Sequence, residues 1–431
     1  MLALLNQRMK TKPLSIALLG FGTVGGSVAR IVSERPELAD RIELTHIFNR
    51  DVARKRVDWV PSSVTWTEDF DAMLQSGPDV IVEVVGGIDP AGDWVRRALQ
   101  RGVAVVTANK MLLAADGPEL LHLAAKHETQ LRFEAAVAGG VPLIHGVREG
   151  LAGDRLLRVA GILNGTSNYV LSTMSEGDQS MADVMIEARR LGYAEADPSA
   201  DVDGDDAGAK LVVLAGIAFR RHLRLADVPR HSIRPISAAD FRYSSRLGCT
   251  IRQMAVVEAR GEGFHAFVGP TLVPRGSNFG LNIGANNIVT VAGHYGGENS
   301  FSGAGAGGPA TAVAIVSDLL SLTQREREHG EEWLSVPVVP PPVRPYYLRF
   351  VVKDGPGILS SIAGSLASQG VNLDAVLQEP GYPKDALPFV ITVEPCQEAA
   401  LTAAVQEISD AKFHAEPPLA LPMLLGDKSL T

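Results

Sequence analysis

The stretch "LSIALLGFGTVGGSVARIV", beginning at Leu14, limits the fold more than any other part of the chain. An apolar strand runs into Gly20, Gly22 and Gly25 at the GxGxxG spacing, and the pattern then opens a helix. Gly20 permits a tight turn, Gly22 lets a pyrophosphate approach the backbone, and Gly25 lets helix and strand pack closely. The helix N-terminus adds free N–H groups and positive partial charge. Gly20, Phe21, Gly22, Thr23, Val24 and Gly25 are therefore candidate cofactor-binding residues, a purely structural turn being the alternative. Further apolar strands follow ("IELTHIF", "DVIVEVVGG", "VAVVTANK"), separated by helical patterns ("WVRRALQRG", "PELLHLAAKHE"). Strands apolar on both faces and separated by helices predict a parallel α/β sheet.

The tip of the second strand selects the dinucleotide. An acidic residue there would bind a ribose 2′-OH. The sequence reads "HIFNRDVARKR", so Asn49 and Arg50 occupy the place, with Asp51 following. Arg50 could pair with a 2′-phosphate. The expected cofactor is NADP, with NAD as the alternative; the competing reading is an ordinary solvated helix start.

Beyond residue 140 the pattern changes. "RLLRVAGILNGTSNYVLSTM" and "HAFVGPTLVP…NIVTVAGHYG" read as strands of a mixed or antiparallel sheet, and "SMADVMIEARRLGY" and "DAGAKLVVLAGIAFR" read as helices. The proline-rich "SVPVVPPPVRP" marks a semi-rigid boundary. After it, a small unit runs strand, helix, strand. The predicted fold class is α/β, with a Rossmann-type parallel nucleotide domain over 1–140, to which a helix near 308–328 returns. An α+β catalytic and dimerisation domain over 141–307, a linker over 336–345 and a ferredoxin-like domain over 346–425 complete the division. Formal net charge is -9, which argues against a nucleic-acid surface. Two cysteines, Cys249 and Cys396, form no CxxC pair, so a reducing cytoplasm is expected. The apolar runs are too short to span a bilayer, and "MLALLNQRMKTK" reads as a tail rather than a signal peptide.

The densest charge lies in "EADPSADVDGDDAGAK", where six carboxylates between Glu195 and Asp206 precede Lys210. A calcium loop fails. Counted from Asp201, the glycine falls at position 4 and position 12 is Val212, where an EF-hand needs glycine at 6 and glutamate at 12. Asp205 or Asp206 suits the N-terminus of the following helix. Asp206 and Lys210, four apart, share a face of that helix. On a surface such a pair contributes little. The apolar run after Lys210 predicts a buried helix, where a lysine needs carboxylate partners. Such a lysine suits a general acid that protonates an alkoxide.

The chain resembles monofunctional homoserine dehydrogenases with a C-terminal ACT domain. "GFGTVG", "TANK" (Thr107 to Lys110), "FEAAVAGGVP" from Phe133, "ILNGTSNY" from Ile162, the acidic stretch and "GAGAGGPATA" from Gly303 carry the resemblance, which covers nearly the whole chain. No kinase domain precedes the first strand, so the unfused form is expected. The resemblance implies NAD(P)H-dependent reduction of aspartate 4-semialdehyde to homoserine, on the route to threonine and methionine. It implies Lys210 as proton donor, Glu195 and Asp206 as ligands of the amino-acid substrate, and Lys110 as a second lysine near nicotinamide and substrate. Gly192, Gly305 and Gly307 join the cofactor set, and Asn164, Gly165 and Thr166 are expected to line the cleft. A monovalent cation, sodium in the family, is implied on Glu134 and the carbonyls of Val137, Gly139 and Val141. In the C-terminal unit Asp354, Gly355, Gly357 and Asn372 lie at turns that hold an amino-acid effector in ACT domains, threonine being the natural candidate. A homodimer or homotetramer is expected, with no nucleic-acid or membrane partner.

Two alternatives compete. An amino-acid sensor on a dead Rossmann fold predicts loss of the site lysines and acids, yet Lys110, Glu195, Asp206 and Lys210 are present. A phosphorylating semialdehyde dehydrogenase needs a nucleophilic cysteine, and neither cysteine has a catalytic context. His145 and His294 lack metal-ligand spacing and read as satisfied core or surface residues.

Overall fold

The computed structural model describes residues 12–177, 179–323 and 333–424. Strand β1 (Leu14–Leu19) leads into α1 (Thr23–Glu34) through the glycine turn. Then come β2 (Ile42–Phe48), α2 (Val52–Lys55), β3 (Thr65–Thr67), α3 (Phe70–Gln75), β4 (Val80–Glu83), α4 (Ala91–Gln100), β5 (Ala104–Thr107), α5 (Lys110–Lys126) and β6 (Leu131–Arg132). The strands order as β3-β2-β1-β4-β5-β6, all pairs parallel. Strand order reverses between β1 and β4, and the glycine turn lies at the carboxyl end of β1. That is where doubly wound sheets bind dinucleotides. The expected Rossmann-type sheet is present.

The chain continues through α6 (Leu143–His145), β7 (Leu156–Ile162), α7 (Gly165–Glu176), α8 (Met181–Arg190), α9 (Ser199–Val202), α10 (Asp205–Phe219), β8 (Arg221–His222) and α11 (Ala238–Arg246). A long hairpin follows: β9 (Cys249–Arg260) pairs with β10 (Gly263–Pro274) across a two-residue turn in which Gly261 has φ +55°. Next are α12 (Asn278–Leu281), β11 (Asn286–Gly293), β12 (Gly297–Ala304), α13 (Gly308–Leu322) and β13 (Leu334–Ser335). The second sheet orders as β10-β9-β7-β11-β12. Last come β14 (Arg344–Val352), α14 (Ile358–Ser368), β15 (Leu373–Gln378), β16 (Leu387–Cys396), α15 (Glu398–Ser409) and β17 (His414–Pro422), with sheet order β15-β16-β14-β17. This antiparallel βαββαβ unit is ferredoxin-like.

The chain divides into two compact units. Among the described residues, one comprises 12–157, 209–226, 291–323 and 333–336; the other comprises 158–177, 179–208, 227–290 and 337–424. In the first, Ala312, Ile315, Val316 and Leu319 of α13 share a core with Ile16 and Leu18 of β1 and Val28 of α1. The glycines at the helix starts permit this. A Cβ on Gly308 would stand 2.6 Å from Ser27 Oγ and 2.9 Å from the Thr23 methyl. Trp333, buried, lies over Gly117 of α5 and Gly216 of α10; a Cβ on Gly216 would meet its ring at 2.6 Å. In the second unit the proline-rich segment is docked rather than free: Phe264 N donates to Pro337 O, and Val339 N donates to Phe264 O.

One expectation is corrected. "RLLRVAGILNGTSNYVLSTM" is not strand throughout, because β7 stops at Ile162 and α7 starts at Gly165. The Asn164 side chain accepts from Ser167 N at 2.8 Å, and this N-cap outweighs the strand-like side chains that follow. The end of the helix expected near 308–328 lies outside the described residues beyond Thr323. Among the described residues no helix is long and apolar enough to cross a membrane.

Candidate active site

In the first unit, a Cβ on Gly25 would fall 2.1 Å from Gly20 O, so only glycine lets α1 approach the turn. Gly20 has φ +113°, a conformation side chains rarely adopt. Nothing lies within 4 Å of a Cβ on Gly22, which leaves open space above the helix N-terminus. These features fit a pyrophosphate cradle. The Phe21 ring is buried, 4.8 Å from the Trp66 ring centroid, so only its backbone is available to a ligand. Thr23 is exposed and Val24 half-buried at the same turn.

At the β2 tip, Asn49 Oδ1 accepts from Asp51 N, and Asp51 Oδ1 accepts from Arg54 N as the cap of α2. The Asp51 carboxylate is thus committed to the helix start. Arg50 is exposed and makes no ion pair among the described residues. The segment from Gly303 reaches the start of α1 through Gly308, and a Cβ on Gly139 would meet Gly305 O at 2.5 Å. Gly307, with φ +115°, precedes α13.

Lys110 is the first residue of α5, whose N-cap Asn109 accepts from Leu112 N. A cation at that end opposes the helix dipole, so helix stability does not explain the lysine. The turn around it is fixed by a group the sequence reading missed. Glu83, fully buried at the β4 tip, accepts from Thr107 Oγ1 at 2.5 Å and from the N–H groups of Val85 and Gly86. A lone acid ending an apolar strand was its only sequence signal.

The acidic stretch divides its charges. Asp205 pairs with Arg230 at 2.8 Å, and Asp203 with Arg234 at 2.9 Å, which holds the Asp203 carboxyl below its usual range. Asp197 accepts from Ser199 N, and the Ser199 contacts lower its pKa. Asn164 Nδ2 donates to Asp201 Oδ1 at 2.6 Å and to Asp206 Oδ2 at 2.9 Å. Asn164 therefore ties the start of α7 to the first turn of α10. Lys210 follows one turn later, half-buried, on a helix whose next residues are buried, as expected of that helix. Glu195 is exposed on the loop after α8, and no hydrogen bond or ion pair brings it to Asp206 among the described residues. Gly192, with φ +80°, terminates α8: its N–H donates to Arg189 O. Thr166 Oγ1 donates to the Tyr193 carbonyl at 2.6 Å.

Glu134 is buried, and its carboxylate is heavily used. Oε1 accepts from Ile144 N, while Oε2 accepts from His145 N and lies 2.6 Å from His145 Nδ1. Asp318 of α13, also buried, accepts from Glu134 N and lies 3.6 Å from His145 Nε2. Burial pushes Asp318 up to about 7, and the Glu134 contact raises His145. His145 is satisfied, as expected, but the expectation that it lacks a metal-ligand setting is corrected: one ligand atom from each of Glu134, His145 and Asp318 lies within 4.8 Å of the others. Asp318, an isolated acid in an apolar helix, gave no such signal in the sequence. A carboxylate offers about four acceptor sites, so three donors leave room on Glu134 for one cation contact. The adjoining backbone turns sharply, with Ala138 at φ +57° and Gly139 at +55°.

Comparison with known proteins converges on one family. The family model described as homoserine dehydrogenase matches residues 142–320, and that of the homoserine dehydrogenase NAD binding domain matches residues 20–134. A homoserine dehydrogenase of Mycobacterium tuberculosis is 38% identical over 420 residues, 93% of this chain and 95% of the relative. The crystal structure of a homoserine dehydrogenase from Thiobacillus denitrificans superposes with TM-score 0.88 at 32% identity, covering 96% of this chain and 98% of that one. A hyperthermophilic archaeal homoserine dehydrogenase, in complex with NADPH, matches with TM-score 0.63 at 26% identity over 73% of this chain and 98% of that one. The chain belongs to the homoserine dehydrogenase family, a family of nicotinamide-dependent oxidoreductases.

Proposed function

We propose that the chain reversibly reduces L-aspartate 4-semialdehyde to L-homoserine, supplying threonine and methionine synthesis in the cytoplasm. The observation that carries this reading is the start of α10, where Asp206 is held by Asn164 one turn before Lys210. The reduced nicotinamide supplies the hydride. Lys210 gives a proton to the resulting alkoxide oxygen and recovers it in the oxidative direction. Asp206 and Glu195 hold the substrate ammonium and hydroxyl, and Lys110 lies beside nicotinamide and substrate. The exposed Arg50, together with an Asp51 spent on capping, supports NADP over NAD. The archaeal relative was solved with NADPH. A monovalent cation, sodium in this reading, rests on Glu134 and the carbonyls of Val137, Gly139 and Val141. The ferredoxin-like unit acts as an ACT domain that takes threonine near Asp354, Gly357 and Asn372, and the active form is a homodimer or homotetramer.

The test is homoserine oxidation with NADP+ or NAD+, with and without threonine. Lys210→Ala is expected to lower kcat at least ~10²-fold while cofactor affinity stays within about twofold. Substantial residual kcat would overturn the proton-donor role. Tighter NAD+ binding would overturn the cofactor preference, and indifference to threonine would remove the effector.

A further inference from the structure

The second unit contains a cavity of about 490 Å³ lined by none of the proposed active-site residues. Ligand pockets for small metabolites have this size. It lies between the end of α7, the outer face of α11, the start of β9 and Glu379, which follows β15. Its apolar lining comes from Met174, Phe241 and Cys249.

The charges around it are unevenly matched. Glu379 pairs with Arg246 at 2.7 Å, and Arg242 bonds the Tyr382 hydroxyl. Two lining residues of opposite sign are not so committed. Arg275 donates to Ser245 Oγ at 2.6 Å but makes no ion pair among the described residues. Glu176 makes none either, and it ends α7, where the helix dipole favours a cation. Beside them lies Arg252, 1% exposed, bonded to Thr250 Oγ1 and the carbonyls of Ile251 and Gly280. Its Nε has no partner, and burial with neighbouring Arg275 lowers its pKa to about 10 against the opposing pull of the Glu176 charge. An arriving carboxylate would give Arg275 the ion pair it lacks among the described residues and would offset its repulsion of Arg252.

We propose that this cavity binds a free α-amino acid, with its carboxylate on Arg275, its ammonium on Glu176 and its side chain over Met174, Phe241 and Cys249. The site is separate from the turns at Asp354, Gly357 and Asn372, none of which lines the cavity. Occupancy would be felt in the C-terminal sheet. Glu379 N donates to the Tyr243 hydroxyl of α11, which donates to Pro388 O.

Calorimetric titration of the full chain with L-alanine, L-threonine, L-valine, L-methionine and L-phenylalanine, each alone, tests this independently of the catalytic assignment. At least one is expected to bind with Kd of about 1 mM or below. Its N-acetyl and amide derivatives should bind at least ~10-fold more weakly, as should the parent amino acid to Arg275→Gln and Glu176→Gln. Asp354→Ala should bind normally. Circular dichroism should show both cavity variants folded. No binding by any of the five overturns the proposal. So does equal binding of the acetylated derivative, which would mean a bare anion site, and so does loss in Asp354→Ala with retention in Arg275→Gln.

Discussion

Each unit buries a polar cluster, and the two are balanced differently. In the first, Glu134 and Asp318 converge on one imidazole from opposite sides. In the second, Asp240 is fully buried yet surrounded by donors. It pairs with the Arg349 guanidinium and accepts from Tyr347 OH at 2.9 Å and from Ser237 N and Oγ at 2.8 Å. Ser237 and Asp240 also form the capping box of α11. The Asp240 carboxylate is well supplied with donors, while Arg349 Nε has no partner and the guanidinium also lies 3.5 Å from Glu416. Two carboxylates share one histidine, with the Arg132 charge acting on Asp318 as well, and burial still lifts Asp318 toward neutrality. A carboxylate ringed by donors acts as a staple, whereas two carboxylates sharing one imidazole respond to protons and cations.

The largest expected effect breaks the staple. Asp240→Ala strands Arg349 and Tyr347 in the core and should cost about 3–5 kcal/mol by denaturant titration. A cost below ~1 kcal/mol would mean that the second cluster is no more structural than the first.

Asp318→Asn probes the other side. The folded Asp318 pKa lies above its unfolded value of about 4, so the native state holds a proton that the unfolded chain releases. Stability from this group therefore falls as pH rises from about 4 to about 7. His145 works in the same direction: its contribution is full below about 6.5 and is lost as pH rises through its raised folded value. The substituted amide carries no such titration. Relative to the parent, the variant should gain about 2 kcal/mol between about pH 5 and about pH 8. A pH-independent difference would show that Asp318 is ionised throughout.

The smallest effect concerns cations. Replacing tetramethylammonium chloride by sodium chloride should stabilise the protein by about 1–2 kcal/mol if Glu134 takes a small cation. Glu134→Gln should lose that increment, and an equal response in both proteins would place any cation effect elsewhere.

The sequence exposed what is local. β1, its glycine turn and α1 were legible because spacing and backbone geometry are set within a few residues. Asp206 and Lys210 could be placed on one helix face for the same reason. What escaped depends on distant partners. Asp318 meets Glu134 from 184 residues away, and Arg349 meets Asp240 from 109 residues away. Glu83 gains its role from Thr107 on the neighbouring strand. The start of α7 escapes for a subtler reason: its β-branched and aromatic side chains favour strand, while one asparagine cap decides for helix. The cavity beside Arg275 lay beyond reach because separated segments of the chain line it.

The return of α13 to β1 and α1 has a consequence for synthesis on the ribosome. The apolar patch made by Leu18, Val28 and their neighbours is completed only when Ala312 to Leu319 have emerged. Nearly three hundred residues must be made while that patch waits for its cover. A fragment ending at Leu157 would carry the nucleotide-binding turn but expose the surface on which α13 packs, and should aggregate. Supplying α13 in trans should rescue it less efficiently than the intact chain, in which the two partners are held on one polymer.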